Sequence, residues 1–397
     1  MRQMFKVVPH RVRWIIYLSS FMSIAFGYLI VAISAYLPEV GVSSSDVGLI
    51  MGVTGLTSVV CAIPIGLLAD RIGRKSIFIL GSLVVPPCIL VYAFTYEVPY
   101  LLLSGAIAGI SEGAFMGTWN ALIADQTDVK QRNAAFSLSF IYGNVSFGIG
   151  FALPMVFPAM QDLTGLSSAT LHTWSFAAVS LLAVITPVSM WILLRDYTES
   201  MAKKERLVRG ENFRPLMKFS LANSLIGLGA GFIIPLIPTW LWLKYGIPDA
   251  YSGPLLAVSN ITIGIAAIGS AVLARKYGIV PSIVLTAGTA TAFMLGINFM
   301  PNALLACSLY LVRSALMNMG SPLLDSFLMG IVTKEERGLA SAINAIVWRL
   351  PNSVTTIVGG AMLASGDYDT PFYLAAGFYA VSLTLFYIMF KDVRPSE

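Results

Sequence analysis

Residues 47–94 read VGLIMGVTGLTSVVCAIPIGLLADRIGRKSIFILGSLVVPPCILVYAF. Two apolar runs meet at a charged turn, Asp70-Arg71-Ile72-Gly73-Arg74-Lys75. A helix that crosses a bilayer needs about 20 mainly apolar residues, and each run supplies that length. The turn is too short to be a domain and too charged to be buried. The stretch therefore predicts a hairpin of membrane spans with a basic cluster at its bend.

The same punctuation continues in both directions. Apolar runs between charged or Pro/Gly breaks lie near 12–37, 45–69, 76–95, 98–122, 133–157 and 171–194. A second set lies near 214–243, 250–274, 279–300, 302–326, 338–364 and 371–390. This predicts an all-α membrane protein of twelve transmembrane helices. The first run follows Arg11 and Arg13, exceeds a signal h-region in length and lacks a small-residue cleavage site, so it counts as a span. Composition agrees: of 397 residues 57% are hydrophobic and 11% charged, where a soluble domain carries about 25% charged residues. With 25 Lys+Arg and 20 Asp+Glu, a body this large cannot be coated in charge, so most of its surface is expected to face lipid.

Composition also excludes whole classes. Cys61, Cys88 and Cys307 sit singly in apolar runs, which suggests neither a disulfide framework nor a thiolate metal site. Two histidines, His10 and His172, both near helix ends, leave an intramembrane hydrolase or metalloenzyme without ligands or base. No enzyme activity, cofactor or metal is expected. The net charge of +5 reflects basic span ends rather than a nucleic-acid partner.

Charge sets the expected topology. With a cytoplasmic N-terminus, alternate loops collect all but three of the 25 basic residues; Lys244 alone falls in an outer loop, and Arg313 and Arg349 lie inside spans. Such asymmetry predicts cytoplasmic N- and C-termini in the cytoplasmic membrane. The outer loops are expected to hold acids instead, among them Glu39, Glu97, Asp162, Asp249 and Asp367. The polar midpoint stretch divides the chain into a six-helix bundle at 1–194, a cytoplasmic linker at 195–213 and a second bundle at 214–397.

The halves repeat at one offset. Gly41-Val42 matches Gly246-Ile247, Gly73 matches Gly278 and Arg132 matches Arg337, each pair 205 residues apart. A parallel repeat of six spans is a transporter architecture, with the substrate site at the bilayer midplane.

Gly66-Leu-Leu-Ala-Asp70-Arg71-Ile-Gly73-Arg74-Lys75 resembles the G-x3-D-R-x-G-R-R/K signature of the major facilitator superfamily. Ala124-Asp125 through Arg132 is similar to that family's D-x6-R loop, and Gly231 through Pro238 to the G-x3-P-x2-P segment of its drug-exporting branch. The resemblance covers essentially the whole chain. It implies a cytoplasmic gate in which Asp70 faces the start of the eleventh span and Arg74 pairs with Asp125. Gly66, Arg71, Gly73 and Lys75 complete the signature. The second half does not repeat it, since Arg275 stands at the position equivalent to Asp70 and Gly330 at that equivalent to Asp125. On the residues alone, the basic cluster can equally serve only to set topology.

Charges inside spans are the sharper signal, because each costs about 2.5–3.5 kcal/mol at the bilayer centre. Arg313 and Arg349 fall about 17 Å into spans ten and eleven, and Glu112 about 21 Å into span four. By the resemblance, spans one, four, seven and ten line the cavity. The functional reading makes Glu112 a proton carrier and Arg313, with Arg349, an anion clamp or the counter-charge of Glu112. The alternative is a static Glu–Arg pair that locks packing. Asn144, the repeat partner of Arg349, joins the candidates.

Two family features are missing: Gly105 occupies the arginine position of the R-x2-Q-G pattern in span four, and the fifth span lacks the G-P-x2-G-G core of antiporters. The expected function is secondary transport of a small molecule by alternating access, as proton-coupled efflux of amphipathic compounds. The alternatives are a transporter of a small organic anion, carboxylate or phosphate, held by the midplane arginines, and a non-transporting membrane sensor. The expected partners are the substrate, protons and the lipid bilayer, and a monomer suffices.

Overall fold

The computed structural model describes residues 7–197, 213–332 and 337–393. It is helical throughout, with no strand among those residues. The first half carries α1 (His10–Glu39), α2 (Ser44–Ile72), α3 (Arg74–Phe94), α4 (Val98–Asp125), α5 (Val129–Ala152, extended through Phe157–Thr164) and α6 (Ser168–Leu193). The second carries α7 (Arg214–Tyr245), α8 (Asp249–Tyr277), α9 (Ile279–Asn298), α10 (Ala303–Gly330), α11 (Arg337–Ala364) and α12 (Thr370–Phe390). Ten of these are long and apolar enough to cross a membrane among the described residues. The other two, α8 and α11, have 29 and 28 residues, again enough to cross. Large apolar side chains such as Leu67, Leu181, Val272 and Ile388 stand exposed, as a lipid-facing surface requires. Most of the expected linker, residues 198–212, lies outside the described residues.

Contacts divide the chain into two compact units. Unit 1 comprises Met1–Val42, Val53–Lys203 and Pro248–Ala257; unit 2 comprises Ser43–Gly52, Lys204–Ile247 and Val258–Glu397. Within unit 1, α1 packs on α5 and α6, and α3 on α4 and α6. Within unit 2, α7 packs on α11 and α12, and α9 on α10 and α12. The pairing is the same helix for helix. Each unit has its own aromatic core, built around Phe78 and Trp119 in the first and Phe219, Phe327, Phe386 and Phe390 in the second.

The repeat also appears in the backbone. Gly73 and Gly278, one before α3 and the other before α9, have φ of 104° and 86°, values open to glycine and costly for a residue with a Cβ. The units differ from the expected halves by two short pieces, 43–52 and 248–257, and these too are 205 residues apart. Gly48 and Gly253 occupy equivalent positions in them. A Cβ at Gly48 would press on Thr356 and Gly360 of α11, and one at Gly253 would collide with the Phe151 carbonyl. Glycine at both positions admits the close approach that attaches each piece to its unit.

Three helices change pitch along their length. A π-turn, Ala32–Tyr36, interrupts α1, while 3-10 turns at Leu153–Val156 and Ile234–Leu236 interrupt α5 and α7, each containing a proline. Such interruptions free backbone groups and re-aim side chains, and they concentrate at functional sites.

Glu39 and Asp249 do not sit in solvated loops: Glu39 is the last, half-buried residue of α1, and Asp249 is the first of α8 and is 3% exposed. Loop length misleads at this point because the helices run on to within four residues of each other in sequence, from Tyr245 to Asp249 and from Glu39 to Ser44.

Candidate functional site

Unit 2 contains a cavity of about 500 Å³, lined by residues of α7, α10, α11 and α12. Its deepest charged group is Arg313. The side chain is 5% exposed, and Nη2 donates to Tyr379 Oη at 2.9 Å. The guanidinium carbon lies 5.7 Å from the Tyr379 ring centroid, close enough for a cation–π contact. Its Nε is buried without a hydrogen-bond partner, and no carboxylate pairs with it among the described residues.

The rest of the lining alternates aromatic and amide groups. Tyr310, Tyr379 and Trp348 give flat apolar walls, and Asn223, Asn318 and Asn344 give hydrogen-bonding groups. Asn223 Nδ2 donates to Asn344 Oδ1 at 2.6 Å, joining α7 to α11, and Asn318 Nδ2 donates to the Ser314 carbonyl at 2.9 Å. Ser314 and Ser259 share a hydroxyl hydrogen bond of 2.5 Å between α10 and α8. Asp325, further along α10, adds a carboxylate to the lining. The cavity thus offers a buried cation with a spare donor, stacking surfaces and a distant acid.

The predicted residues separate by unit. Arg313 and Arg349 lie in unit 2 and Glu112 and Asn144 in unit 1. Arg349 is half-buried on α11, and the residue lining the cavity there is its neighbour Trp348. Glu112 is half-buried on α4. Asn144 Nδ2 donates to the Phe140 carbonyl of its own helix at 2.8 Å. Asp325 gives little signal in the sequence because it falls at the end of an apolar run. Its signal is the repeat, which aligns it with the span residue Asn120.

The signature turn lies in unit 1. Arg74 Nη1 stands 3.1 Å from Asp125 Oδ2, the pairing that the family resemblance implies. Tyr197 Oη donates to the same Asp125 oxygen at 2.6 Å, and Lys75 Nζ to the Arg195 carbonyl at 3.5 Å. The start of the linker is thereby tied to the α2–α3 turn. Gly73 provides the positive φ that starts α3, Gly66 is half-buried on α2, and Arg71 is exposed. The Asp70 side chain lies outside the described residues.

Residues 14–323 and 219–397 match the family model described as Major Facilitator Superfamily. The chain belongs to the major facilitator superfamily. It is therefore a multi-pass membrane protein of that superfamily. Among curated relatives it is 29% identical over 211 residues to the inner membrane transport protein YajR of Escherichia coli, which is 53% of this chain and 44% of that protein. It is 24% identical over 188 residues to the quinolone resistance protein NorA of Staphylococcus aureus, 47% of this chain and 46% of that one. The chain thus spans less than half the length of each of these relatives. A bacterial homologue of the human lysosomal transporter Spinster superposes over 97% of this chain and 98% of its own, with TM-score 0.77 and 15% identity, a likeness of fold.

Proposed function

We propose that this superfamily transporter carries small amphipathic molecules with an anionic group, and that Arg313 binds that group in the unit 2 cavity. One observation carries the reading: a 5% exposed arginine, with an unpartnered Nε and no carboxylate paired with it among the described residues, lines a space large enough for a small molecule. An uncompensated charge at membrane depth is expensive and defaults to function. Arginine also suits a planar carboxylate or a phosphate, since its fork presents two parallel donors. Tyr310, Tyr379 and Trp348 would then stack on the apolar body of the ligand.

A second reading is favoured by the match to the quinolone resistance protein and by the half-buried carboxylate of α4. In it, the chain exports amphipathic compounds and Glu112 carries the coupling proton. The basic residues of alternate loops support a cytoplasmic N-terminus. With that orientation, the Arg74–Asp125 pair belongs to a cytoplasmic gate that holds one state of an alternating-access cycle.

Thermal stability of the purified protein separates the readings, because a ligand that binds the folded state raises it by mass action. Aromatic carboxylates should stabilise the wild type, and Arg313→Ala should abolish that shift, a loss of about 2–5 kcal/mol in binding. Arg313→Lys should restore only part of it, since the point charge returns without the fork. Stabilisation by lipophilic cations that is lost in Glu112→Gln and kept in Arg313→Ala would overturn the anion reading.

A further inference from the structure

We propose that His172, Asp249 and Glu39 form a proton-binding site whose occupancy holds the first turn of α8 in unit 1. All three belong to that unit. The His172 ring is fully buried and its Nε2 lies 3.1 Å from Asp249 Oδ2. On the other edge, Nδ1 lies 2.9 Å from Tyr28 Oη. The backbone N–H of Asp249 donates to Glu39 Oε1 at 2.6 Å. Two carboxylates and one imidazole thus meet where α1, α6 and α8 converge.

The surroundings enclose the imidazole. Tyr36, presented by the π-turn of α1, stacks on the imidazole with ring centroids 3.5 Å apart. Phe157 of α5 meets the ring edge-on at 4.8 Å, and Phe176 of α6 closes a further side. Tyr96, from the connection between α3 and α4, shares a 2.7 Å hydrogen bond with the Tyr36 hydroxyl. Every ionisable group described against the ring is therefore an acid or a phenol, and no basic side chain joins them. With a neutral imidazole, the Asp249 carboxylate would lie in this enclosed space with no cation paired to it among the described residues. One proton on the ring turns the contact with Asp249 into an ion pair.

Two details fit a site that must accept both states. The His172–Asp249 contact lacks hydrogen-bond geometry, so Nε2 and Oδ2 are each buried without such a partner. The Tyr28 hydroxyl has a second acceptor, the His172 carbonyl at 3.5 Å, to which it can turn when Nδ1 carries a hydrogen.

The repeat supplies an internal control. The piece equivalent to 248–257 is Ser43–Gly52, held in unit 2. There Asp249 is replaced by Ser44, His172 by Gly377 and Glu39 by Lys244, which instead binds the Asn298 carbonyl at 2.8 Å and stands 3.7 Å from the exposed Asp369 carboxylate. A first turn can evidently attach through close glycine packing without a buried imidazole and acid. Packing alone does not account for the ionisable cluster at His172.

Hydrogen exchange of the purified protein without substrate tests this independently of how Arg313 behaves. After correction for intrinsic exchange, amides of residues 248–257 should exchange at least about tenfold faster at about pH 8.5 than at about pH 6, as the imidazolium is lost. Residues 43–52 should change by less than about twofold. His172→Gln and Asp249→Asn should each remove the pH dependence at 248–257. The proposal is overturned if the two pieces respond alike in the wild type, or if both variants keep the wild-type profile. The comparison within the wild type decides the matter even where a variant does not fold.

Discussion

Gly109 on α4 and Ser314 on α10 occupy the same place in the repeat, as do Thr54 on α2 and Ser259 on α8. In unit 1 the Gly109 backbone lies against α2: a Cβ there would collide with the Thr54 carbonyl and the Thr57 hydroxyl. In unit 2 Ser314 and Ser259 meet through their two hydroxyls at 2.5 Å. Equivalent positions nearby differ in side-chain size. Gly105, Ala108 and Gly143 of the first half stand where Tyr310, Arg313 and Trp348 line the cavity of the second. Small residues let helices close on each other, whereas a hydroxyl bridge and large side chains set them further apart. Equivalent positions of the repeat thus carry small residues in unit 1 and cavity-lining ones in unit 2.

The largest way to break this contrast is to fill the packed side. Gly109→Val places branched carbons against the Thr54 backbone, which cannot swing aside. Overpacking of this kind costs about 1–3 kcal/mol, visible as a lower melting temperature. A variant as stable as the wild type would show that α4 and α2 are not held by close approach.

Ser314→Gly sharpens the contrast from the other side. It removes the bridge to Ser259 and adds a helical glycine, together worth about 1–2 kcal/mol. Because Ser314 also lines the cavity, ligand affinity should fall with stability. Stability lost without any change in affinity would mean that the bridge does not shape the cavity.

The smallest effect belongs to the signature turn. Arg74 and Asp125 keep 20% and 22% of their side-chain surface exposed, so Arg74→Ala should cost about 0–1 kcal/mol in folding. Its consequence should appear in transport rate, measured in proteoliposomes, rather than in melting temperature. A large loss of stability would make the pair structural.

Much of this was legible in one dimension. Spans, their count and the half-chain repeat follow from hydropathy and spacing, which are local properties of the sequence. The signature around Asp70 and the turn at Gly73 are equally local. Arg313 stood out because a charge inside an apolar run is costly wherever it points. Its partner Tyr379 did not, since a tyrosine in an apolar run gives no sign of what its hydroxyl touches.

The site at His172 marks the other limit. His172 and Asp249 belong to different halves of the chain, and each reads by itself as a polar residue near a helix end. The sequence by itself determined that the chain is a twice-repeated membrane bundle with a few expensive charges, because bilayer energetics act on each segment separately. Only the tertiary structure decided that Gly109 lies against the α2 backbone, which large side chains line the unit 2 cavity, and which distant acids meet one buried imidazole. Those outcomes depend on helix approach and rotation to within a few ångströms, and neither is encoded in any single segment.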